Sequence, residues 1–287
     1  MASNFPPLGF EPASGLAWRR LGKGPPLLLL HGFTGNAQAW PAVIVESLSQ
    51  RYTVWIPDLP GHGESPARRA GIPSDFPGAL QRLMMGLDAL GIHRPVWVGY
   101  SMGGRLALGA AVSHGVRVRA LVLESASPGI PDSRERRHRL EEDQQLSRRI
   151  RTEGMAAFVD GWLTQPLFQS QSRLAPEVRE AERDRRLGNQ PEELAEALEA
   201  MSTGGQPSFW QDLPGVTLPA LLVTGNLDPK FGAIAANMAV SLPEARHLTV
   251  AGAGHAVHLE APNEWLRRIL PFLDEIHGHD KTGSLGT

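Results

Sequence analysis

"VGYSMGGR", residues 98–105, sets one serine among glycines and puts an arginine a helical turn beyond it. The run "PVWVG" from Pro95 is continuously apolar and of strand length, and residues 105–114 have helical length and composition. Gly99-Tyr100-Ser101-Met102-Gly103 therefore fits Gly-x-Ser-x-Gly at a strand-to-helix turn. There the pattern has a mechanical meaning: the serine sits on a sharp, strained turn, and small neighbours admit close backbone approach. The bare pentapeptide fits a glycine-rich turn equally well; its flanks favour a nucleophile.

Working outward, further short apolar runs recur at "PPLLLLHG" (25–32), "YTVWIPD" (52–58), "RALVLES" (119–125), "PALLVTGN" (219–226) and "RHLTVAG" (246–252). They are apolar on consecutive residues, as parallel strands covered on both faces should be. Helical-length segments at 37–50 and 76–90 lie between them, and Asp75-Phe76-Pro77 supplies an N-cap with proline just inside the start. The alternation predicts an α/β fold with a mostly parallel, doubly wound sheet. From 128 to 210 the rhythm breaks into charged helical patterns: "RERRHRLEEDQQLSRRIR", "GMAAFVDGWL", "APEVREAERDRRL" and "PEELAEALEAM". This reads as a helical lid inserted over the carboxyl edge of the sheet, where open α/β sheets bind ligands. The expected division is a core of 1–127 and 211–279, a lid of 128–210, and a disordered tail at 280–287.

Composition narrows the function. With 287 residues, 41% hydrophobic and 20% charged, a sizeable core can form. A net charge of -2 and a pI near 6.6 give no reason to expect nucleic acid or an anionic membrane as partner. The absence of cysteine excludes a disulfide scaffold, thiolate metal sites and thiol nucleophiles together. The start, "MASNFPPLGFEP", has no apolar stretch after a basic segment, so no secretory leader is expected, and "LLLL" at 27–30 is far too short to span a bilayer. The expectation is a cytoplasmic protein with no membrane insertion; oligomeric state is not readable.

A serine nucleophile needs a base, and the base needs an orienting carboxylate. Asp228 follows "PALLVTG" and His255 follows "LTVAG", each just past a strand and in the order Ser, Asp, His. Glu124, also at a strand end, is the rival acid. His258 falls at a helix start, and His31 and His62 in glycine loops, where packing roles are expected. An oxyanion hole would use the Met102 amide and the Phe33 amide in "HGFTG".

Together "HGFTGNAQAW", "DLPGHGES", "VGYSMGGR", "GNLDPKF" and "GAGHAVHLEAP" resemble the α/β-hydrolase fold family over nearly the whole chain. Four details are similar to one subgroup, the 2-succinyl-6-hydroxy-2,4-cyclohexadiene-1-carboxylate synthases of menaquinone biosynthesis: "GYSMGGR", "ESASPGI", "DGWLTQPLF" and "STGGQPSFW". The resemblance implies a lyase on a hydrolase fold, without metal or organic cofactor, acting on a small polycarboxylate and releasing pyruvate. It also implies that Tyr100, Arg105, Arg139 and Trp162 contact the substrate.

The residues bear on this independently. Arg105 places a cation in the first turn of its helix, against the macrodipole, at a cost of roughly 0.3–1 kcal/mol. Such a choice beside a nucleophile points to carboxylate binding; a structural ion pair is the alternative. Arg139, Asp143, Leu146 and Ile150 share one helical stripe, which would aim Arg139 under the lid, held by Asp143, while Arg134 and Arg137 face out; a purely structural Arg139–Asp143 pair is the alternative. Arg136, on the face of Leu140, is the rival. On pattern alone Trp162 reads as lid core. The enzymatic alternative is a carboxylic-ester hydrolase using Ser101 as acyl nucleophile; a ligand-binding receptor on the same fold is a further one. The Pro77-Gly78 pair and the loop "ARRAGIP" at 67–73 are expected near the pocket mouth.

Overall fold

In the computed structural model the described residues run from 9 to 282, with side chains described to 278. Eight strands form one sheet: β1 Gly9–Glu11, β2 Leu16–Leu21, β3 Pro26–Leu30, β4 Thr53–Pro57, β5 Val96–Tyr100, β6 Ala120–Glu124, β7 Ala220–Gly225 and β8 Ala245–Val250. Their order is β1-β2-β4-β3-β5-β6-β7-β8. β4 through β8 run parallel; β2 lies antiparallel to β4, and β1 antiparallel to β2.

Period-two geometry sends alternate residues of each buried strand to opposite layers. Leu28, Leu30, Trp97 and Leu222 pack with α2 (Phe76–Ala89), α3 (Met102–His114) and α7 (Pro229–Ser241). Leu27, Leu29, Val98 and Val223 pack on the other side with α1 (Ala42–Ser49) and α9 (Pro262–Thr282). Two apolar layers explain the unbroken runs, each fully buried leucine contributing roughly 1.5–3 kcal/mol.

The β1–β2 hairpin is absent from the strand pattern of the sequence. Its anchor is distant: the buried Arg82 of α2 donates to the carbonyls of Ser14, Gly15, Pro66 and Ala67 at 2.8–3.0 Å. Burial lowers this guanidinium to about 10. The Pro-Gly pair and the loop ahead of it also differ from expectation. Asp75 caps α2 through the Gly78 amide (2.8 Å), and no residue from 67 to 78 lines the main cavity. The loop instead grips the insertion, through Arg68–Glu196 (2.7 Å) and the Ala67 amide on Glu193.

Between β6 and β7 the described chain has no strand. It forms α4 (Ser133–Leu163), α5 (Pro176–Leu187) and α6 (Pro191–Ala200), with a 3-10 stretch at Pro166–Arg173. Gly154, at φ 77° and ψ 172°, breaks α4. A four-residue α8 (Val257–Glu260) precedes α9, which reaches three residues into the expected tail; 283–287 lie outside the described residues. Among the described residues no helix is long and apolar enough to cross a membrane.

Beneath β3 the buried rings of His31 and His62 meet at 5.1 Å. His31 Nε2 accepts the Leu59 amide at 3.0 Å, so Nδ1 carries the proton, donated to the Gly32 carbonyl at 2.8 Å. Burial holds His31 well below its usual value and His62 down at about 4, against 6.5 unfolded. Between these two values the unfolded chain binds the proton that the fold refuses. Stability is therefore full above about pH 6.5 and falls as pH drops to about 4, by on the order of 3 kcal/mol for His62 alone. Urea denaturation at pH 7, 5.5 and 4.5 should show this slope, and His62→Asn should reduce it, leaving the part that His31 contributes.

Candidate active site

β5 ends at Tyr100 and α3 begins at Met102, so Ser101 alone makes the turn, at φ 50° and ψ −108°. Its amide donates to the Glu124 carbonyl (2.8 Å), and its carbonyl accepts the Arg105 amide (3.0 Å). The turn closes only because side chains are missing around it. One at Gly99 would strike the Gly103–Gly104 peptide, and one at Gly103 the Leu30 carbonyl.

His255 lies just past β8, with Nε2 3.1 Å from Ser101 Oγ and Nδ1 2.7 Å from Asp228 Oδ2. A carboxylate only accepts, so Nδ1 carries the proton and Nε2 is free to take the serine's. Asp228 caps α7, its Oδ1 accepting the Phe231 amide at 3.1 Å, which fixes the carboxylate's orientation. Phe231 in turn covers the His255 ring at 4.5 Å between centroids. Glu124, the rival acid, points elsewhere: fully buried, it accepts His258 Nδ1 (2.7 Å) and Trp265 Nε1 (2.7 Å).

The Gly32 carbonyl accepts from Gly35 N (3.0 Å) and His31 Nδ1 (2.8 Å), so across the trans peptide the Phe33 N–H points the opposite way. The Met102 N–H likewise opposes the Ser101 carbonyl, which is taken up by α3. Phe33, Met102, Ser101 and His255 line one cavity of about 780 Å³ between the sheet edge and the insertion. This arrangement can remove a serine proton and stabilise a neighbouring oxyanion.

Arg105 and Arg139 line the same cavity. The half-buried Arg105 donates to Gln206 Oε1 (2.7 Å) and the Met201 carbonyl (2.8 Å), which orient it without cancelling its charge. Burial, with Arg139 adding to it, lowers its pKa to about 10, so it stays charged at neutral pH. Arg139 Nε binds Asp143 Oδ1 at 2.8 Å, and Asp143 Oδ2 accepts Ser202 Oγ at 2.6 Å. Arg134 and Arg137 are exposed, and Arg136 borders a separate cleft with Leu140 and Gly204. Exposed Glu135 and Glu142 also reach the cavity wall.

Trp162 lines the cavity while packing on Phe33, Phe158 and Phe168 at 5.4–5.7 Å. Tyr100 lies between His255 (5.4 Å) and His258 (4.6 Å), its hydroxyl held well above the usual phenol value by burial and Glu124. Phe231, Lys230, Gln206 and Ser125 were not singled out from the sequence. Phe231 had a signal, three residues after the capping Asp228. Gln206 lay within "STGGQPSFW", whose partner Arg105 is 101 residues away.

The chain belongs to the α/β-hydrolase fold family, whose model matches residues 25–262. It is 40% identical over 250 residues to a putative 2-succinyl-6-hydroxy-2,4-cyclohexadiene-1-carboxylate synthase of Bacillus subtilis (strain 168), covering 87% of this chain and 90% of that one. Among solved structures it is similar to MenH from S. aureus, with TM-score 0.86, 32% identity, and 92% and 99% of the two chains covered. It is also similar to a malate-bound thermophilic esterase from Thermogutta terrifontis, with TM-score 0.80, 29% identity, and 91% and 94% covered.

A fluorophosphonate should label Ser101. Asp228→Asn, which spoils the His255 tautomer while keeping the fold, should slow labelling by up to roughly 10⁴-fold, read by intact-protein mass spectrometry.

Proposed function

We propose that this chain is a carbon–oxygen lyase of menaquinone biosynthesis, eliminating pyruvate from 2-succinyl-5-enolpyruvyl-6-hydroxy-3-cyclohexene-1-carboxylate. The observation that carries this reading is Arg105: a charged guanidinium on the nucleophile's own helix, held by neutral oxygens and lining the cavity that Ser101 and His255 line. A site for neutral esters has no use for it. The synthase-named relatives support the same reading.

His255, oriented by Asp228, takes the Ser101 proton, and the alkoxide removes the ring proton beside the succinyl ketone. That C–H pair forms the first ring double bond, the existing double bond shifts one position, and the ring carbon–oxygen bond to the enolpyruvyl group breaks. The proton lost from the ring is balanced by the one that converts departing enolpyruvate to pyruvate. Charge that builds on the ketone oxygen is met by the Phe33 and Met102 amides, fixed before the reaction begins. Arg105 and Arg139 bind carboxylates, while Tyr100 and Trp162 shape the wall. Residues 128–210 act as the lid, excluding water from the enolate.

An ester hydrolase remains the second reading, because the same triad and amides serve acyl transfer and an esterase is among the similar structures. Supplied with the enolpyruvyl substrate, the protein should release pyruvate, and Ser101→Ala should abolish turnover. Arg105→Ala should lower kcat/KM roughly 10- to 100-fold, the scale of a charged hydrogen bond. Fast hydrolysis of neutral aryl esters with no pyruvate formed would replace this reading with the hydrolase.

A further inference from the structure

Several polar groups on the cavity wall have no role in the chemistry above, and one of them is unpartnered and strained. Ser125, directly after β6, lines the cavity with Ser101 and Arg105. It is a non-glycine residue in the left-handed region, at φ 47°, and its amide donates to the Val223 carbonyl at 3.0 Å. The residue is 1% exposed, and its Oγ has no hydrogen-bond partner. Both features cost stability, and glycine at this position would remove both. Ser127, two residues on, differs: its Oγ accepts the Gly129 amide at 3.2 Å.

The surroundings identify what the hydroxyl awaits. Ala126 packs against Gly104, so this segment lies on the first turn of α3, which carries Arg105. The Arg105 guanidinium has five N–H groups, and Gln206 and Met201 take two, leaving three. A carboxylate carries more lone pairs than a part-engaged guanidinium fills and accepts gladly from a hydroxyl. A buried donor left unpaired on a cavity wall calls for a partner, and a ligand in that cavity can supply one.

We propose that Ser125 is a substrate-contacting residue, whose hydroxyl donates to the carboxylate that Arg105 holds. The identity of that carboxylate's bearer rests on the lyase reading; the carboxylate site itself does not. In this account Ser125 sets affinity rather than the chemical step, because a carboxylate keeps its charge throughout the elimination.

Two variants test it. Ser125→Ala removes the hydroxyl alone, and Ser125→Gly removes the hydroxyl and the backbone strain. Both should raise KM for the enolpyruvyl substrate roughly 10- to 100-fold while kcat stays within about threefold. Ser125→Gly should melt above the wild type, so that the loss of affinity accompanies a gain in stability. Malate binding, measured by calorimetry on the same proteins, should weaken by a similar factor. A residue of purely structural importance would move the melting temperature and leave KM alone. Unchanged KM and unchanged malate affinity in both variants would overturn the assignment. Absence of pyruvate release by the wild type would remove the lyase reading only, and the malate measurements would still decide Ser125.

Discussion

The site depends on one backbone constraint, the left-handed turn at Ser101. A non-glycine residue at φ 50° is held there because its amide is bound to the Glu124 carbonyl of the neighbouring strand and its carbonyl begins α3. That single turn sets three directions at once. It offers Oγ to His255, leaves the Met102 amide unclaimed at the helix start, and brings the residue one turn on, Arg105, to the same cavity. Glycines at 99 and 103 are the structural condition for it, since a side chain at either meets backbone. The strain is stored where the chemistry is, and the two apolar layers flanking the sheet hold it in place.

Around this turn the charges are arranged unequally, and the inequality carries the functional argument. Arg139 has a carboxylate partner in Asp143, itself bound by Ser202, whereas the hydrogen bonds of Arg105 go to an amide oxygen and a peptide carbonyl, with Asp143 acting on it through space. Both oxygens that hold Arg105 come from the segment 201–206 after α6, so the insertion does more than cover the cavity: it orients the cation closest in sequence to Ser101. Behind the loop that follows β3, the opposite policy applies. His31 and His62 form a buried neutral pair, with the half-buried Phe33 against His62, that fixes the loop by shape and by backbone hydrogen bonds.

How much of this could be read from residues alone follows from how local each signal is. Strands β3 to β8 were legible because burial on both faces writes continuous apolar runs, and Ser101, Asp228 and His255 because each follows such a run. The β1–β2 hairpin was not, since what secures it is Arg82, over 60 residues away along the chain. Arg139 was distinguishable from Arg136 by the stripe it shares with Asp143 and Ile150, of which the latter two are buried. Ser125 and Gln206 lie within the quoted "ESASPGI" and "STGGQPSFW" but were not singled out, because a left-handed serine and a long-range amide contact leave no periodic trace. The tail expected from 280 onward is shorter by three residues, since α9 extends to Thr282.

The central claim is that the triad removes a carbon-bound proton rather than attacking a carbonyl. The most direct measurement is the single-turnover rate of pyruvate release from substrate carrying deuterium at the ring carbon beside the succinyl ketone, compared with the unlabelled compound. Proton abstraction by the Ser101–His255 pair predicts a primary isotope effect, with slower release from the deuterated substrate. Equal rates for the two, with an acyl adduct accumulating on Ser101, would contradict the account.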